Sequence, residues 1–83
     1  SDQLLATTIA LNAWEFVGKP FAEKARDYYT EKILESLPKL WNQLTSLNDD
    51  EKKVIKTIID EIPEEARKNE AEFKKYIVDN IKI

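Results

Sequence analysis

A small all-α bundle is the fold this sequence predicts, and three observations predict it. Residues 4–17, LLATTIALNAWEFV, hold ten apolar side chains and a single charge, at a spacing that suits a helix. No segment sustains apolar–polar alternation with hairpin turn residues between two runs, so strands have no signal. The 83 residues include no Cys and no His, so neither a disulfide nor the usual zinc site can hold the chain together. A chain this short buries only about 60% of its unfolded surface. Stability must then come from packing, which favours helices over a sheet of this size. The expected architecture is one domain over residues 1–83, with four to five helices at about 3–17, 20–36, 38–46, 49–62 and 64–81 and the first helix central.

In the first helix, at about 100° per residue, Thr8, Asn12, Glu15 and Lys19 fall on one narrow polar strip. Opposite lies a seam of small residues, Ala6, Ala10, Ala13 and Val17. Leu5, Ile9 and Phe16 flank the seam on one side, Leu4, Leu11 and Trp14 on the other. Such a helix needs partners on more than one side. Glu15, the one charge in this stretch, is either a buried acid or the partner of Lys19 four residues on. The i,i+4 order suits the pair. Gly18-Lys19-Pro20 reads as a glycine stop followed by a proline in the first turn of the next helix.

The second helix buries Ala22, Ala25, Tyr29, Ile33 and Leu37 at helical spacing. Pro38 should disfavour a helical Leu37 and removes one backbone bond. The stripe nevertheless runs on through Leu40, Leu44 and Leu47. A kink and a break both fit, and the break, with a third helix starting at Pro38, is the preferred reading.

Asn48 is a good N-cap with Glu51 three residues on, a variant of the capping box. Asp49, Asp50 and Glu51 suit the positive end of the helix dipole. Val54, Ile55, Ile58, Ile59 and Ile62 form a wide apolar face, and Pro63 ends the helix. After it, residues 64–68 form either a single turn, with Asn69 capping a new helix, or the start of one helix to the end. Phe73, Tyr76, Ile77 and Ile81 are the buried stripe in both cases, and Glu70 pairs with Lys74.

Composition excludes several functions. The 13 basic and 16 acidic residues give a net charge of −3, mixed throughout, which leaves no basic patch for nucleic acid. Residues 4–17 are too short and too polar to span a bilayer. They lack the basic flank of a signal segment, since Ser1-Asp2-Gln3 precedes them. With no Met, Ser1 is not expected to be a translated start. The compartment stays open: cytosol, mitochondrial matrix or a secreted chain without disulfides all fit.

Without His and Cys, the commonest general base and the best nucleophile are missing. Ser1, Ser36 and Ser46 sit at the terminus or at expected helix ends. The single Gly rules out a phosphate loop or dinucleotide fingerprint. Residues 48–51 lack the alternating ligands of a calcium loop. No enzyme, cofactor or metal is expected.

What remains is binding. The expected partner is another protein, the chain acting as a small inhibitor, immunity factor, adaptor or subunit, and self-association is open. Phe21, Tyr28 and Trp41 lie at the margin of the buried stripes and are the candidate contact residues, since large aromatics at a margin anchor partners. The alternative is a small apolar ligand such as a lipid. It would occupy a cavity between the first helix and the Ile face, lined by Ile9, Ala13, Trp14, Ile55, Ile58 and Ile59.

Overall fold

The computed structural model describes residues 3–82; these are mostly helical, with short turns between the helices and no strand among them. Five helical rods follow one another. The first comprises α1 (Gln3–Ala13), a π-helical stretch (Trp14–Gly18) and a last α turn, α2 (Lys19–Phe21). The others are α3 (Arg26–Gln43), α4 (Asp49–Asp60), the single turn α5 (Glu64–Arg67) and α6 (Glu70–Asn80). Their apolar faces meet in one contiguous core.

Ala6, Ile9, Ala10, Ala13 and Val17 are all buried, as the small-residue seam requires. α1 lies along α6 and also touches α3. The wet side differs from expectation. Thr8 and Asn12 are half-buried, because each side chain donates to the carbonyl one turn back, Thr8 to Leu4 and Asn12 to Thr8, at 2.9 Å in both cases. Leu4 and Leu11 take the outward position instead.

Gly18 does not stop the first helix. It is right-handed helical (φ −66°, ψ −58°), and the rod runs on to Phe21. Its role is space. A Cβ at this position would lie 2.4 Å from Cε3 of Trp14 and 2.9 Å from Cε2 of Phe73. The indole therefore lies across the glycine one turn later and meets Phe73 edge-on, with ring centroids 5.3 Å apart. Within the π stretch the N–H of Lys19 donates to the carbonyl of Trp14, one residue further back than in an α-helix. Pro20 explains the widening: its ring presses on the carbonyl a turn earlier and it supplies no N–H.

The true break falls at residues 22–25, where neither Gly nor Pro marks it. Ala25 begins α3 without a side-chain cap, and this residue, expected in the core, is exposed. α3 then continues through Pro38 to Gln43, so the expected break at Pro38 does not occur. Tyr29, Ile33, Leu37, Leu40 and Leu44 form one unbroken buried stripe, and Pro38 sits on the exposed side. The lost backbone bond opens onto water, where its cost is smallest.

The second half follows expectation more closely. Asn48 and Glu51 form a complete capping box: the Glu51 N–H donates to Asn48 Oδ1 at 2.8 Å and the Asn48 N–H to Glu51 Oε1 at 2.9 Å. Ile55, Ile58, Ile59 and Ile62 are buried, whereas Val54 lies outside the core, 40% exposed. Asn69 caps α6 by accepting from the Glu72 N–H at 3.1 Å, so residues 64–81 are two helices, not one. The pairs Glu15–Lys19 and Glu70–Lys74 both form, on exposed surface.

A polar corner fixes α3 against α4 and α5. Arg26 donates to the carbonyls of Asp60 (2.6 Å) and Ile62 at the C-terminal end of α4, which has no helical donors of its own there. The Tyr29 hydroxyl donates to the Ile59 carbonyl at 3.2 Å. Arg67, fully buried, stacks over the Tyr29 ring at 4.6 Å and donates through Nη2 to the Lys24 carbonyl at 2.9 Å. Its charge is met by Glu64 at 3.6 Å, while Nε and Nη1 find no oxygen. Burial pushes the Tyr29 phenol well above the usual tyrosine range, and the charges of Arg67 and Arg26 only partly oppose it.

Candidate binding surface

The residues expected to form a contact surface fall into two separate places. Phe21, at the end of the first rod, and Tyr28, in the first turn of α3, face each other across the 22–25 turn as an edge-to-face pair, centroids 6.1 Å apart. Tyr28 is 40% exposed, and the ammonium groups of Lys24 and Lys32 both approach its ring at 5.5 Å. Trp41 lies thirteen residues further along the same helix, about 20 Å away at 1.5 Å per residue. It is half-buried against the core, with Lys52 over its ring at 5.9 Å. Phe21 and Tyr28 therefore share a patch that Trp41 does not join.

The residues expected to line an apolar cavity are mostly inside the core. Ile9, Ala13, Ile55 and Ile59 are fully buried, and Trp14 packs against the core's edge on Phe73 and Gly18. α4 leans on α3 and α6, while α1 runs mainly along α6. Of the six, Ile58 lines a surface groove. This is a groove of about 320 Å³ on the outer flank, lined by Lys53, Val54, Thr57 and Ile58 of α4 and by Asn80 and Lys82 from the C-terminal end of α6.

A third surface was not singled out by the sequence pattern. On the outward side of α1, Leu4 is 75% exposed and Leu11 is 50% exposed, with exposed Thr7 between them and the half-buried Trp14 at the edge. These four recur at 3-4-3 spacing, the spacing of a helix–helix contact seam. No charge occurs from residue 3 to residue 14, in a chain that is 35% charged overall. The signal was present in the excess of apolar residues over what a two-sided helix can bury. It was masked because Thr8 and Asn12 satisfy themselves and can sink into the margin.

Among the described residues no group of three or more acidic side chains is placed to hold a metal ion, and no helix is long and apolar enough to cross a membrane. The described residues form a small all-α fold with several large apolar side chains exposed on its surface. No family model matches the chain, and neither a curated protein nor a solved structure is significantly similar to it.

Proposed function

We propose that the chain is a non-catalytic protein-binding module that works as a small inhibitor, immunity factor, adaptor or subunit of a larger assembly. The observation that carries this reading is the outward face of α1. Leu4 and Leu11 stand out of a helix surface without charges, whereas the other exposed large apolar side chains, Leu34, Val54 and Tyr28, sit among Lys and Glu residues of α3 and α4. An apolar face of this kind is stabilised by a partner and is an aggregation hazard without one. The Phe21–Tyr28 edge, with its two lysines, supplies a second, polar-rimmed contact of the sort found around an interface core.

The test is site-specific photo-crosslinking in the source cells, with the reactive side chain placed at position 11 in one variant and at Glu31, on the exposed charged side of α3, in another. A discrete protein captured at position 11, competed by unlabelled chain and lost in Leu4→Asp, supports the reading. Equal capture at both positions, or none at position 11, counts against it.

A further inference from the structure

We propose that the groove between α4 and the C-terminal end of α6 binds the carboxylate form of a long-chain fatty acid. Its lining is mainly apolar: Val54 and Ile58 contribute aliphatic side chains, and Thr57, Lys53 and Lys82 carry aliphatic carbons beside their polar ends. Its charged lining among the described residues consists of Lys53 and Lys82, with no Asp or Glu, on a chain whose net charge is −3. The nearest acid in sequence to the Asn80 end, Asp79, is taken by Lys75 at 2.9 Å. The Asn80 amide nitrogen is taken by the Tyr76 carbonyl at 2.8 Å, which fixes the side chain at the rim. The lining thus combines apolar side chains with two cationic ones, the pairing that complements one anionic head on an unbranched apolar tail. The volume, about 320 Å³, is at the lower end of ligand pockets. Val54, which the helical pattern assigns to the core, instead lines this trough, so its apolar character has a use outside the core.

The site is distinct from the α1 face and from the Phe21–Tyr28 edge, so this inference does not depend on the protein-binding reading. The experiment is titration of the isotopically labelled full chain with soluble probes, followed by backbone amide shifts. Octanoate should move the amides of Val54, Thr57, Ile58 and Asn80 saturably, and those of Leu4 and Leu11 not at all. Dodecanoate, kept below micelle formation, should bind at least about tenfold tighter than octanoate, since each buried methylene adds to the transfer free energy. Octan-1-ol should bind several-fold more weakly than octanoate. The double variant Lys53→Gln/Lys82→Gln should lower octanoate affinity to the level of the alcohol, and raised salt should do the same for the wild type. Val54→Trp, which fills an exposed groove without touching the core, should abolish binding while leaving the thermal unfolding curve in place. Leu11→Asp should bind dodecanoate like the wild type, so failure of one reading is separable from failure of the other. The proposal is overturned if neither acid shifts the groove amides. It is also overturned if alcohol and acid bind equally, or if only vesicles of anionic phospholipid perturb this face.

Discussion

Where α3, α4 and α5 meet, two guanidiniums and a phenol reach backbone carbonyls 30 to 43 residues away in sequence. Along α1 and α6 the contact is instead made by alanines, a glycine and an indole standing edge-on to a phenyl ring. The first region is specified by donors and acceptors, the second by available volume. They should therefore fail differently. The corner is sensitive to losing an atom that donates, and the seam to gaining an atom of any kind.

The largest effect is expected at the corner. Tyr29→Ala removes a fully buried ring that carries Arg67 on its face, and should cost about 3–5 kcal/mol in urea denaturation. A loss under about 1 kcal/mol would show that the corner is not a unit. Arg67 sharpens the point. Arg67→Ala should cost about 2–5 kcal/mol, as truncations that leave a cavity do. Arg67→Met keeps the stem, removes two donors that have no acceptor, and should cost clearly less.

At the seam the sensitive change is addition. Ala10→Leu inserts three carbons at a buried position of α1, the helix that lies along α6, and should cost about 1–3 kcal/mol. Thr8→Ala, which removes a self-satisfied hydroxyl on the margin, should cost well under about 1 kcal/mol. If the two were equal in a denaturation series, the assignment of the packed face of α1 would be wrong.

A smaller effect separates hydrogen bonding from packing at the corner. Tyr29→Phe keeps the ring under Arg67 and loses only the bond to Ile59, which should cost about 0.5–1.5 kcal/mol. It also changes the pH response. Because burial raises the Tyr29 phenol above its unfolded value of 10.0, the proton is held more tightly in the folded chain. The stability this gives is complete below about pH 10 and is lost as the pH rises beyond it. Wild-type stability should therefore fall above that pH, and Tyr29→Phe should flatten the decline.

The two regions also differ in how far the sequence reveals them. The small-residue seam, the Asn48–Glu51 box and the stop at Pro63 are local patterns, and these were readable; the cap at Asn69 was one of two readings that the local pattern left open. The corner was not, because nothing within a few residues of Arg67 marks it for burial; its environment comes from Lys24 and Tyr29, far away in the chain. The same cause misplaced the first break. The turn at residues 22–25 is held by Arg67 on the Lys24 carbonyl and by Arg26 on α4, so Gly18 and Pro20 drew attention to the wrong place. Pro38 misled for a related reason: a continuous buried stripe on one side of α3 outweighs one missing bond on the other. Of the candidate contact residues, Phe21 and Tyr28 were expected on one helix, and the structure instead brings them together across the turn at residues 22–25. The groove was not, since Lys53 and Lys82 meet only through the packing of α4 against α6.

Gly18→Ala decides most directly whether volume governs the seam. Helix propensity alone favours the alanine by about 1 kcal/mol, and a glycine acting merely as a helix stop would gain or lose little at this right-handed position. The packing account predicts the opposite sign. The added Cβ meets the Trp14 indole and the Phe73 ring at once, so urea denaturation should show a loss of about 1–3 kcal/mol. The tryptophan emission should move as the indole is displaced. A variant as stable as the wild type or more so, with unchanged emission, would contradict the account.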